Sequence, residues 1–215
     1  MHGDRSARTS PLPAPPAPDP ASKHRQTVNP DGTVVERWYK DGVLHREGGP
    51  AYVERRRDGT AVIEWWYRNN KLHREGGPAW VRHHTDGTVI EQWYRNGKLY
   101  RDGGPSWVER HPNGTVTEEW YRNDKLHRED GPAYVKRRPD GTAESEAWCL
   151  DDTEVEPWEV LGRYLRRRGV PGLSTEALKQ IAKDVPWQRW DELGPDHPLV
   201  ALWSTVHPTA DISAG

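Results

Sequence analysis

The chain repeats itself. "VERWYKDGVLHREGGPAYVERRRDGT" is followed by "IEWWYRNNKLHREGGPAWVRHHTDGT", then by "IEQWYRNGKLYRDGGPSWVERHPNGT" and "TEEWYRNDKLHREDGPAYVKRRPDGT", and a fifth copy decays at "AESEAWCLDD". Pro50, Pro78, Pro105 and Pro132 recur at intervals of 28, 27 and 27 residues. A unit this short cannot bury an apolar face alone, so tandem copies must stack on one another as a repeat array.

Each unit carries two turn signals. Asp41-Gly42, Asn69-Asn70, Asn96-Gly97 and Asn123-Asp124 form one series. Asp31-Gly32, Asp58-Gly59, Asp86-Gly87, Asn113-Gly114 and Asp140-Gly141 form the other. Two-residue loops of Asn, Asp and Gly suit the primed turns of hairpins, because these residues tolerate positive φ. The spacing predicts three short strands per unit, interrupted once by Gly-Gly-Pro, with the proline at a strand start where no ladder donor is lost. The expected fold is mainly β: an elongated antiparallel meander of four full units and a degenerate fifth, with a C-terminal helical cap.

Two-residue loops also fix a register. They set Trp80 opposite Trp93 and Trp93 opposite Tyr100; the next unit repeats this as Trp107, Trp120 and His127. The second unit has one residue too many, and a bulge there restores a row of Tyr52, Trp66 and His73. A second bulge aligns Tyr134 with Trp148. Alternation then assigns Ala79–Tyr94–Leu99 and Ser106–Tyr121–Leu126 to the other face. Rings on both faces leave some of them at the surface, so these nine aromatic and histidine positions are the candidate binding residues.

Composition agrees with a thin fold. Only 33% of residues are hydrophobic and 30% are charged, yet there are 12 Trp and 8 Tyr and no Phe. Apolar surface therefore comes from rings that bury a face and keep a polar edge wet. A net charge of -2 gives no broad basic surface for nucleic acid. No apolar run has the length of a secretion signal or membrane span, so a cytoplasmic protein is expected.

The ends read differently. Residues 1–26, with "PLPAPPAPDP" at 11–20, are expected to be a disordered Pro-rich tail, and 27–152 the repeat domain. In 153–206, Trp158, Leu161 and Leu165 share one helical stripe. Leu178, Ile181, Ala182 and Val185 share another, with Ser174 or Thr175 as N-cap. "HPLVALWSTV" suits a third helix, and 207–215 is expected to be disordered. Helices after an open array suit a cap, while the uncovered first strand near residue 33 leaves room for edge-to-edge homodimerisation.

The units resemble the MORN-type repeat in its bacterial variant, in which an aromatic, an Asn-Gly turn, a Lys-Leu and a Gly recur in tandem hairpins. Variants of "WYRNGKLHREDGPA" are similar to repeats of antitoxin-like proteins. The resemblance covers about residues 31–148, and it implies an elongated β-sheet used for contacts with other molecules, a toxin or effector among them. The Gly-Gly-Pro-Ala segment departs from the usual MORN glycine pattern, so lipid binding is not carried over.

No residue pattern points to catalysis. His45, His73 and His127 hold equivalent positions three strands apart, on the order of 14 Å, too far to share an ion bound at about 2 Å. Glu36, Glu64, Glu91, Glu118 and Glu146 recur two residues before each aromatic, and Arg46, Arg74, Arg101 and Arg128 after each His or Tyr; such copies form a ladder of charge pairs, whereas a catalytic pair is unique. The sole cysteine, Cys149, replaces the Tyr of "WY" and suits packing. "YLRRRG" at 164–169 reads as a solvated helix face. The expected function is a non-enzymatic interaction module without metal or cofactor, its partner another protein. The alternative is a ligand module whose rings hold a glycan, a lipid headgroup or a Pro-rich peptide.

Overall fold

The computed structural model describes residues 22–170 and 172–206. Ten strands form one antiparallel meander in chain order: Ser22–Val28, Val34–Lys40, Tyr52–Arg55, Ala61–Trp65, Trp80–His83, Val89–Gln92, Trp107–Arg110, Val116–Glu119, Tyr134–Arg137 and Ala143–Ala147. The sheet begins at Ser22, ahead of the expected boundary at 27, and Ser22–Val28 pairs along the whole of Val34–Lys40. The strand near residue 33 is therefore covered, and the free edge is Ser22–Val28. Residues 1–21 and 207–215 of the expected tails lie outside the described residues.

The register differs by one from the expectation. Trp80 lies opposite Gln92, not Trp93. Tyr52 lies opposite Trp65, not Trp66, and Tyr134 opposite Ala147, not Trp148. The cause is the loop at each Asp-Gly-Thr or Asn-Gly-Thr, which holds three residues and not two: in the third unit it is Thr85-Asp86-Gly87, with Thr88 already back on the strand. In the third unit the N–H of His84 bonds to the Thr88 carbonyl at 2.8 Å, and that of Gly87 to the His84 carbonyl at 3.1 Å. This closes a type I turn that a left-handed Gly87 (φ 87°) returns to the strand. Asp86 completes the loop by accepting the N–H of Thr88 at 2.8 Å, a bond that holds its carboxyl below the ordinary range. The same Asx contact recurs at Asp31, Asp58, Asn113 and Asp140, at 2.9 Å. The two expected bulges are present, at Glu54/Arg55 and Lys136/Arg137.

In the first unit Val43–Leu44 also joins the main sheet, by pairing with the end of Val34–Lys40; in the later units only two strands enter it. From the second unit on, the "WY-x-N-G-K-L" segment leaves it as a separate two-stranded hairpin, such as Tyr94–Arg95 with Lys98–Leu99. Both turn residues take positive φ, 54° at Asn96 and 84° at Gly97, as the type I′ geometry requires. Here the two-residue expectation holds. Tyr94 faces Leu99, Tyr121 faces Leu126, and the N–H of Tyr100 bonds to the Trp93 carbonyl. The decayed fifth copy keeps its hairpin too: Cys149–Leu150 pairs with Thr153–Glu154 across Asp151-Asp152, both with positive φ.

Neighbouring hairpins are stapled together. His45 Nδ1 accepts the N–H of Asn69, His73 Nδ1 that of Asn96, and His127 Nδ1 that of Asp151, at 3.0–3.2 Å. Each repeated histidine thus satisfies a turn amide of the next unit.

One face of the sheet is closed. Val53, Val81, Val108 and Val135 are buried, each flanked across the ladders by the repeated glutamates, as Val81 is by Glu64 and Glu91. Arg55 reaches Glu36 at 3.3 Å and Arg137 reaches Glu118 at 2.9 Å. The expected charge ladder is present, with strand arginines as its cations.

The C-terminal helices follow the expected stripes. Helix α1 (Pro157–Arg167) starts with a capping box between Glu156 and Glu159, and α2 (Thr175–Asp184) is capped by Ser174. A 3-10 turn (Trp187–Glu192) and α3 (Pro198–Val206) complete the region. Leu161, Leu165, Leu178 and Ile181 pack around Trp190, which is 2% exposed. That cluster includes Leu150 and contacts Trp148, whose ring centroid lies 5.3 Å from that of Trp190. The helices therefore cap the last hairpin. No helix among the described residues is long and apolar enough to cross a membrane.

Candidate functional site

The expected aromatic rows divide into two sets. Trp66, Trp93 and Trp120 pair across their short hairpins with His73, Tyr100 and His127, as anticipated. On their sheet side, however, the amides of Trp66, Trp93 and Trp120 bond to Ala79, Ser106 and Ala133 at 2.7–2.8 Å. Ala79 therefore faces indoles and not Tyr94. These small residues, 0–1% exposed, leave the space that the indoles need.

Arginine closes each indole from outside. The Arg46, Arg74, Arg101 and Arg128 guanidinium carbons lie 3.8–4.0 Å from the ring centroids of Trp38, Trp66, Trp93 and Trp120. Each arginine also donates to the carbonyl of the proline four residues on, at 3.1–3.3 Å. The second glycine of "GGP" makes room: a Cβ on Gly104 would meet the Arg101 guanidinium at 3.1 Å. Burial lowers the pKa of Arg46 and Arg74, and Glu36 and Glu64 oppose that shift. Six of the nine expected binding residues thus lie in or beside the arginine clamps, where His127 is buried and the other five are partly buried.

The other three lie on the opposite face. Tyr52, Trp80 and Trp107 join Trp65 and Tyr134 in one row across the strands: Arg37–Tyr52–Trp65–Trp80–Gln92–Trp107–Glu119–Tyr134. All five rings are only partly buried. Tyr52 and Trp65 stack with centroids 4.2 Å apart, and the Arg37 guanidinium carbon lies 5.1 Å from the Tyr52 centroid. Tyr94 donates to Gln92 at 2.9 Å and Tyr121 to Glu119 at 2.6 Å, which orients the two polar members of the row. Burial raises the pKa of both Glu119 and Tyr121. Sequence reasoning left Trp65 and Tyr134 out of the candidate residues; reading each Asp-Gly-Thr turn as a three-residue loop that begins one residue before the Asp, together with the bulges, brings both into register.

Cys149 is buried in the last hairpin, and burial pushes its thiol up, away from the thiolate needed for nucleophilic attack. At the junction with the cap, a cleft of about 390 Å³ is lined by Trp120, Arg128, Glu129, Tyr164, Arg167 and Arg168. Arg167 and Glu129 form an ion pair there, and Trp187 donates to Glu146 at 2.9 Å. Neither protein-family models nor curated proteins yield a match to the chain.

Proposed function

We propose that this chain is a non-enzymatic protein-interaction module of MORN-type repeats, acting in the cytoplasm and binding a toxin or effector in the manner of an antitoxin or immunity protein. The observation that carries the reading is the partly exposed row of Tyr52, Trp65, Trp80, Trp107 and Tyr134 beside Arg37. Trp, Tyr and Arg are the residue types that dominate binding energy in protein interfaces. Rings fixed on strands lose little entropy on binding.

The test compares native partners retained by the wild-type chain and by a Trp80→Ala/Trp107→Ala variant whose circular dichroism is unchanged. One stoichiometric partner lost with the variant supports the reading. A partner retained equally by both chains overturns it. The stacked pair Tyr52–Trp65 favours a second reading, a ligand module in which the same rings hold a smaller extended molecule.

A further inference from the structure

We propose that the ring-bearing face of the sheet is self-complementary, and that its occupant is a second copy of this chain related by a two-fold axis parallel to the strands. The inference rests on the reading of this face as a protein-contact surface, and names the partner it takes when no other protein is bound. Beside the aromatic row, on the same face, runs a second row: Glu54–Ile63–Arg82–Ile90–Glu109–Thr117–Lys136. Its charged members stand two residues past Tyr52, Trp80, Trp107 and Tyr134, on every second strand. The clamp arginines and the ladder glutamates keep their type from unit to unit; this position instead alternates acid, base, acid, base. The central two charges are poorly matched within the chain. Arg82 is exposed and, among the described residues, its side chain makes no hydrogen bond or ion pair. Glu109 has only His111, at 3.6 Å, and lies close enough to Glu119 to add to the upward shift that burial gives that carboxyl. Lys136 already meets Glu144 at 2.9 Å, so Arg82 and Glu109 carry the selectivity.

An alternating row becomes its own complement when its order is reversed. A two-fold axis over Ile90, parallel to the strands, reverses strand order and keeps each residue's position along its strand. It sets Arg82 against Glu109 of the second copy and Glu54 against Lys136, each pair formed twice. In the ring row it sets Trp80 against Trp107 and Tyr52 against Tyr134, while Ile90 and Gln92 meet their own copies on the axis. A two-fold perpendicular to the strands instead stacks each strand on its own copy and leaves Arg82 with no acid opposite. Sheets stacked by the strand-parallel axis are aligned, about 10 Å apart, and one patch serves both copies. The rings supply the buried area, and the charges fix the register.

The test is sedimentation velocity on the purified full chain over a concentration series. The wild type is expected to dimerise. Arg82→Glu and Glu109→Arg, which place like charges across the axis, should each weaken the dimer about 10-fold or more. Mixed in equal amounts, the two variants should recover it as a heterodimer, because the acidic pair of one then faces the basic pair of the other. Glu54→Lys and Lys136→Glu give a second such set should either of the first two fail to fold. A wild type that stays monomeric overturns the proposal. So do variants that associate as the wild type does, which moves the contact to another surface such as the Ser22–Val28 edge, and a mixture that stays monomeric. The measurement needs no other protein: a monomeric chain that still retains a stoichiometric partner, lost in Trp80→Ala/Trp107→Ala, sinks this inference and leaves the interaction reading standing.

Discussion

At the scale of single residues, the repeated arginine explains most of the motif around it. Arg101 spans Trp93 and the Pro105 carbonyl, and the glycine before that proline leaves the space its guanidinium fills. A planar fork does both jobs, stacking by its face and donating from its edge, whereas an ammonium cannot. Arg101→Ala is therefore expected to cost about 1 kcal/mol, and Arg101→Lys nearly as much. Gly104→Ala alone should cost about as much, by displacing the guanidinium. In the Arg101→Ala background the three atoms nearest that Cβ, all of the guanidinium group, are gone, so the two costs should not add. A urea-denaturation cycle over the four chains reads the coupling; strictly additive values would remove the clamp from the account. The arginine was plain in the sequence, but its partner was not. Beside a series of repeated glutamates it reads as one half of an ion pair, and only the fold of the Gly-Gly-Pro loop turns it back onto the ring.

At the scale of elements, the type and order of the pieces were legible, and the register was not. Asn-Gly and Asp-Gly look alike as turn signals. In "NGKL" both turn residues take positive φ and the loop holds two residues; in "TDGT" the aspartate caps the amide of the second threonine, only the glycine is left-handed, and the loop holds three residues, Thr85 to Gly87. One residue of loop length moves every following side chain to the other face. That slip placed Trp80 with Trp93 and hid the row it forms with Trp65 and Tyr134. The junctions between units allow a prediction at this scale. Histidine staples three of them, whereas Tyr100 occupies the equivalent place in the third unit and turns its hydroxyl to Asp102. Tyr100→His restores an imidazole acceptor for the Asn123 amide of the next hairpin. The variant should unfold at a higher urea midpoint with an unchanged slope. An unchanged or lower midpoint would show that the tyrosine junction is as strong as the histidine ones.

At the scale of the whole molecule, an array whose units touch only their neighbours is weakest at its ends. The first edge, Ser22–Val28, reads "SKHRQTV" and is blunted by charge. The other end depends on the helices, whose core closes over Trp148 and Leu150. Their connection to the fourth unit passes through Glu129, which faces Arg167 of α1, Arg122 and His127. The Arg167 guanidinium, ahead of the His127 contact, pulls the Glu129 carboxyl down to about 2 from an ordinary value of 4.5, and Arg167 is raised in return. A carboxylate whose pKa is depressed by folding adds stability that is complete above its unfolded pKa and disappears as pH falls toward the folded one. Docking of the cap should therefore weaken between pH 4.5 and about 2. Glu129→Gln should already be weakened at pH 7 and respond less across that window. Near-UV circular dichroism of the tryptophan environment around Trp190, followed on heating at pH 7, 4 and 2.5, compares the two chains with every other carboxylate held in common. Converging midpoints at low pH fit the ion pair as the latch; midpoints separated by a constant interval at all three would leave the cap held by its apolar core alone.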